Sequence, residues 1–498
     1  MTQGLKPAGT LRATPKPWRG LGWLALGIAA LVAAAPVPAQ SIADPVPARL
    51  VPPSPLADPR AIDFGVDPVL RFVGTASGDH VFAAAAAVPG DDFTAAIAAA
   101  VLRHPRRVEA EAGVAIADAG RREVRAGLFP TLSASVGGSQ SLARDFVDTS
   151  AAVERLLPRG RADASVGVDQ LLFDFGATAA RIAGASARRR AAAADADASA
   201  TAFALDAVTV WYHVIGYQAL TELSEALVAQ HRAILSETQA RVVAGIGAGG
   251  EVARAEAGLA DAVGDAARTA RSLAAVRAQF RERFGADAPL HPFWPARVAI
   301  AIASADAAGL ASVSVPQVAA ARANAAAVAT EARAVRGDAL PRLSAGVAAT
   351  RFNVFGIGPN YDVRGQFNLR HALSVGGAEA ARTAAADARR RAAAAAADTA
   401  RAEAERDAAA AFAEAHLLET SVTALTAAYR ANRRNRDITA EQFRLSRGSL
   451  IDLLRTEGEF FAATRALLLG SVERDLSRYA LLARTGGLLA HFAIPSKQ

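Results

Sequence analysis

The decapeptide Tyr361-Asp362-Val363-Arg364-Gly365-Gln366-Phe367-Asn368-Leu369-Arg370 decides the fold. Tyr361, Val363, Phe367 and Leu369 alternate with Asp362, Arg364, Gln366, Asn368 and Arg370. A period of two places the apolar set on one face of a β-strand and the charged set on the other. Three more segments read the same way. Leu132, Ala134 and Val136 alternate with Thr131, Ser133 and Ser135. Ala162, Ala164, Val166 and Val168 alternate with Asp163, Ser165, Gly167 and Asp169. Leu343, Ala345 and Val347 alternate with Arg342, Ser344 and Gly346. A polar loop separates the two strands of each pair.

The strand pair occurs twice because a larger unit occurs twice. Pro105 and Pro130 recur as Pro316 and Pro341 at an offset of 211, and Leu132-Ser133-Ala134 recurs as Leu343-Ser344-Ala345. Beyond the loop the offset falls to 201 and holds. Gly176-Ala177 then matches Gly377-Ala378, Arg188-Arg189-Arg190 matches Arg389-Arg390-Arg391, and Gly247, Arg254, Glu256 and Gly285 match Gly448, Arg455, Glu457 and Gly486. Alanine matches alone would be compositional noise; glycines, prolines and arginine runs in one register are a repeat. Each unit opens with an Ala-rich helix, expected at 92–128 and 315–338, which Pro130 or Pro341 ends. After the strand pair, Gly176 or Gly377 starts a very long helix, expected at 177–243 and 378–446. At 1.5 Å per residue it spans roughly 100 Å. A short break follows, at Gly245 to Gly250 or at Arg447-Gly448, and a returning helix runs over 251–284 or 449–485. The expected organisation is a signal peptide (1–39), a Pro/Ala-rich extended arm (40–90), a first repeat (91–285), a linker (286–312), a second repeat (313–486) and a tail (487–498).

Four two-faced strands in a chain of long helices have little to pack upon. Apolar on one side and charged on the other, they suit a transmembrane barrel with lipid outside and water inside. Open strand edges do not persist in hydrocarbon, and the smallest closed barrels need about eight strands. One chain supplies four, so closure requires several copies. Three chains sharing twelve strands is the economical solution.

Composition narrows the class further. The chain has 498 residues, 52% hydrophobic but only 6% aromatic, and alanine is about a quarter of it. Such a chain favours close helix seams over a bulky core. Charged residues at 21% exclude a polytopic helical membrane protein, and no stretch after the leader reads as a transmembrane helix. The absence of cysteine excludes disulfides, thiolate metal sites and an acylated N-terminal Cys. A basic segment from Lys6 to Arg19, the apolar run Leu21 to Ala35 and Val37-Pro38-Ala39 read as an export signal. Its loss removes four positive charges from the net +7 and leaves +3, with no basic patch to suggest nucleic acid. The eight histidines never stand three or four apart, and no HExxH, nucleophile elbow or P-loop occurs. Gly245-x-Gly247-x-Gly249-Gly250 lacks the preceding strand of a dinucleotide loop. No enzyme, cofactor or metal site is expected.

The ordered motifs Leu128-Phe129-Pro130-Thr131-Leu132-Ser133, Gln170-Leu171-Leu172-Phe173-Asp174-Phe175-Gly176 and Phe443-x4-Gly448-Ser449-Leu450-Ile451-Asp452-Leu453-Leu454 resemble the TolC family of outer-membrane efflux proteins, over 91–486. The resemblance implies a mainly α homotrimer. Four strands per chain form a shared 12-stranded outer-membrane barrel, joined to a long periplasmic helical barrel. It implies an exit channel for efflux or type I secretion, docked to a periplasmic adaptor and an inner-membrane ABC exporter or proton-driven pump. Asp452 matches the family's acidic aperture, and Arg455 stands where some members carry a second Asp. A single acidic ring partly neutralised by Arg455 is the expectation; the bland alternative is an acid complementing the helix dipole. Gly245, Gly247, Arg447 and Gly448 are turn-formers and candidate adaptor contacts. Asp362, Arg364, Gln366, Asn368 and Arg370 are candidate lumen residues, the Arg triplets are expected as solvated faces, and Tyr212 is expected to serve packing. The competing reading is a secreted helical scaffold or coiled-coil adhesin.

Overall fold

The computed structural model describes residues 90–143, 160–289, 294–355, 360–372 and 375–497. The expected leader and all but the last residue of the expected arm lie outside them. The described elements are, in order, α1 (Gly90–Arg103), α2 (Pro105–Ala126), β1 (Thr131–Gln140), β2 (Gly160–Phe173), α3 (Ala177–Val243) and α4 (Gly249–Phe284). Then come α5 (Ala305–Ser312), α6 (Pro316–Asp338), β3 (Arg342–Arg351), β4 (Tyr361–Arg370), α7 (Ala378–Arg444), α8 (Leu450–Arg484) and α9 (Leu488–His491). The two halves run strand, strand, long helix, returning helix; both long helices have 67 residues, and the returning ones have 36 and 35.

The helix expected over 92–128 is two helices. Pro105 sits in the first turn of α2, where its missing N–H costs nothing, and forces His104 into an extended conformation. His104 Nδ1 then accepts from the Arg106 N–H at 3.2 Å. Gly176 and Gly377 precede the long helices with φ of 82° and 73°, a left-handed conformation that only glycine adopts cheaply. At the first of these turns the Asp174 carboxylate accepts from the N–H groups of Gly176, at 3.2 Å, and Thr178, at 2.7 Å. That satisfies donors a helix start leaves orphaned.

Helix α3 is central, packed on α2, α4, α6 and α8, whereas α7 packs on α5, α6 and α8. Small residues set the seams. At Gly337 of α6 a Cβ would lie 2.9 Å from Ala177 Cβ and 3.1 Å from its backbone, so these two helices meet where only hydrogen fits. Although no stretch after the leader is expected to read as a transmembrane helix, one window of α3 is apolar enough to cross a membrane. More than half of that window is buried against other helices, which makes it core.

The aromatics, though few, are concentrated. Phe93, Phe203, Trp211, Tyr212, Phe280, Tyr479 and Phe492 form one buried cluster, so alanine seams are joined by a bulky core the composition does not suggest. Tyr212 is fully buried in it. Phe93 lies edge-on to Trp211, with ring centroids 5.2 Å apart, and Tyr479 stacks on Phe492. The chain end is tied down as well: the buried Asp197 of α3 accepts from the Ser496 hydroxyl and from the Lys497 N–H at 2.8 Å. Between the halves, Trp294 Nε1 donates to the buried Asp475 of α8 at 2.6 Å.

Candidate functional site

Strand order is β1-β2-β3-β4, every neighbour antiparallel, with β1 and β4 at the edges. The register sorts side chains into two faces. Leu132 opposes Val168, Val168 opposes Val347, Ala345 opposes Phe367, Leu343 opposes Leu369 and Ala349 opposes Val363. These share one apolar face running across all four strands. Ser133 opposes Gly167, Ser135 opposes Ser165, Asp169 opposes Gly346, and Gly346 opposes Gln366. Thr350 opposes Asp362, Ala348 opposes Arg364, Ser344 opposes Asn368 and Arg342 opposes Arg370. All five residues expected to face a lumen therefore lie on the polar face. On it, Arg364 Nη2 stands 2.6 Å from Asp362, Arg161 stands 2.6 Å from Asp163, and the hydroxyls of Ser135 and Ser165 are 2.8 Å apart.

The apolar face has no cover among the described residues. Leu132 is 74% exposed, Val136 78% and Phe367 78%. Aromatics stand at both ends of the sheet. Phe129, Phe173 and Phe175 are exposed at the end where α2 and α3 attach, and Phe355 and Tyr361 at the other. Sequence reading overlooked these two belts, although the clustering of Phe and Tyr at strand ends was there to be found. Strands of 10 to 14 residues are long enough to cross a bilayer, which needs about 9–11.

Opposite the sheet, each long helix ends in a turn. In the first, Gly245 takes φ of 73° and Ile246 N–H reaches Arg241 O at 2.9 Å; in the second, Ser446 takes φ of 59° and Arg447 N–H reaches Gln442 O at 2.8 Å. Gly247 and Gly448 are thus not the left-handed residues of these turns. They give room: a Cβ at Gly448 would lie 2.9 Å from the Phe443 nitrogen. The two turns are clasped, since Arg241 donates to Phe443 O at 2.9 Å and lies over its ring. Phe443 packs with Ile234, Ala255, Leu450 and Leu453.

Asp452 occupies the first turn of α8, whose cap Ser449 accepts from the Ile451 N–H at 3.1 Å. Its carboxylate is 3.6 Å from Arg455 Nη2, while Arg455 Nη1 lies closer to Glu459, at 2.8 Å. Glu459 is a partner that spacing from Asp452 alone did not bring in. Arg455 also lines an open groove with His231 of α3 and Arg254 and Asp261 of α4. Sequence reading missed Glu457, which is fully buried where α3, α7 and α8 meet. Two residues of the first Arg triplet have acidic partners on neighbouring helices: Arg188 pairs with Glu331 of α6, and Arg189 lies 3.7 Å from Asp118 of α2. Among the described residues no group of His, Cys, Asp and Glu could hold a metal ion.

Comparison with known proteins agrees with this architecture. The outer membrane efflux protein family matches residues 96–286. The fold is that of solved outer-membrane channels. OprN is 21% identical, with 80% of this chain and 91% of that one covered and a TM-score of 0.70. VceC of Vibrio cholerae is 16% identical, covering 80% and 96%, with a TM-score of 0.71. The open state of MtrE of Neisseria gonorrhoeae is 19% identical, covering 79% and 89%, with a TM-score of 0.66. No curated protein sequence matches the chain. A two-faced four-stranded sheet, duplicated 67-residue helices and these likenesses together give the chain the fold of the outer-membrane channels, with the outer membrane efflux protein family matched over its first repeat, residues 96–286.

Proposed function

We propose that the protein is the outer-membrane exit channel of a tripartite efflux or type I secretion system, a passive conduit from periplasm to exterior. The observation that carries this is the sheet: apolar across one face, polar across the other, and, among the described residues, unpaired at the outer edges of β1 and β4. Such a sheet loses its edges when β4 of one copy pairs with β1 of the next, a head-to-tail contact that closes into a ring. Strand direction permits it, because β4 runs opposite to β1. Three copies give twelve strands, with Asp362, Arg364, Gln366, Asn368 and Arg370 turned to a water-filled lumen and the aromatic belts at the lipid interfaces. Helix α7 supports the same arrangement, since before Ala408 only Ala386 is buried within the chain, leaving an Ala-rich face for a neighbouring copy.

The helix turns then face the periplasm. Asp452, one per copy, rings the narrow end and favours cations, its field weakened by Arg455. Gly245, Gly247, Arg447 and Gly448 lie where a periplasmic adaptor docks, and an inner-membrane ABC exporter or proton-driven pump supplies the energy. The test is fractionation followed by planar-bilayer recording of the purified protein. Recovery from the outer membrane with discrete conductance steps is expected. A water-soluble, non-conducting monomer would instead identify a scaffold.

A further inference from the structure

Among the described residues, Glu457 is, with Asp197 and Asp475, one of three carboxylates whose residues are only 2% exposed. It lies on α8 five residues beyond Asp452, at the seam where α8 meets α3. Gln230 of α3 donates to Glu457 Oε1 at 3.3 Å, a polar link between the hairpin of α3 and α4 and the hairpin of α7 and α8. From α7 the buried Arg436 favours the charged carboxylate, and Asp437 opposes it. Arg436 is itself committed, with Nε 2.7 Å from Asp437 and its guanidinium over the Phe460 ring at 4.3 Å. His231, next to Gln230, turns its ring onto Gly258 of α4, where a Cβ would come within 3.0 Å of Nδ1.

We propose that Glu457 is a proton-operated latch between the two hairpins, holding the seam shut when neutral and loosening it when ionised. The inference rests on the channel reading only for its consequence, the width of the periplasmic aperture; the latch itself is a property of the seam. Burial is the dominant influence on this carboxyl and raises its pKa from 4.5 to about 7, against Arg436 and Gln230. In an opened seam the carboxyl meets water and returns to its ordinary value. The shut seam therefore binds more protons than the open one between about pH 4.5 and 7. Its extra stability is complete below that window and is lost as pH rises through it. The shift corresponds to a change on the order of 100-fold in the ratio of shut to open seam.

Amide hydrogen exchange on the detergent-solubilised full chain tests this directly, at pH 5 and pH 8 with rates corrected for intrinsic pH dependence. Protection over 225–235 and 453–461 is expected to be at least tenfold greater at pH 5 in the wild type. Glu457→Gln, a neutral amide of the same shape, is expected to be equally protected at both pH values. Bilayer recording adds the consequence: open probability rises with pH in the wild type and not in E457Q. Seam protection that does not depend on pH in the wild type would overturn the latch, and that measurement needs no variant. A pH dependence that survives intact in E457Q would also overturn it, assigning the effect to another group such as His231. A seam that responds as described in a protein without conductance would uphold the latch and sink the channel reading.

Discussion

Replacing Phe367 by arginine sets the lipid-facing reading against its alternative in a single substitution. Phe367 lies past the middle of β4, opposite Ala345, and is 78% exposed on the apolar face. If that face meets lipid, arginine there costs about 2–4 kcal/mol per copy near the bilayer midplane. A three-copy barrel multiplies this to roughly 6–12 kcal/mol per assembly. If the face meets water, an exposed Phe→Arg change lies within about 0.5 kcal/mol of neutral. Gln366→Arg is the internal control. One residue away, it lies on the polar face opposite Gly346, where a lumen accepts charge at little cost. Folding into lipid vesicles, followed by urea titration, reads both. F367R is expected to lose most of its folded fraction or shift its midpoint sharply, while Q366R stays near wild type. Equal behaviour of the two variants, or greater damage from Q366R, would refute the assignment of faces.

Gly337→Val is expected to destabilise by about 1–3 kcal/mol, because the added carbon atoms meet the backbone of Ala177 rather than a side chain that can move; thermal unfolding checks it. Asp197→Ala removes the acceptor of two hydrogen bonds from the chain end, leaving Lys497 N–H and Ser496 without it. A Tm lower by a few degrees and faster proteolysis at the C-terminus are expected. Asp452→Ala removes one negative charge per copy and should weaken divalent-cation block of conductance several-fold; unchanged block would take Asp452 out of the constriction.

Strands and long helices were legible because their signals are local. Alternation in 361–370 needs no tertiary context, and Gly176 and Gly377 mark the helix starts by a backbone requirement that their side-chain-free carbons meet. Pro105 was harder. A proline at the first turn of a helix looks, within an Ala-rich run, like a proline inside one, and only the His104 cap separates the cases. The aromatic cluster escaped notice because Phe93, Trp211, Tyr479 and Phe492 are far apart in sequence and meet only when α1, α3, α8 and the chain end assemble. Within the tips the repeat aligned Gly247 with Gly448, but the left-handed positions are Gly245 and Ser446, two residues earlier. Glu457 could not have been recognised from the sequence. A glutamate in a polar helix is ordinarily a surface residue, and its burial follows from how α3, α7 and α8 converge.

Among the described residues one chain leaves the outer edges of β1 and β4 unpaired, and only further copies can close them. Native mass measurement of the detergent-extracted particle addresses that claim most directly. Three chains per particle is the predicted result, one β1 edge for each β4 edge. A particle containing a single folded chain would contradict it.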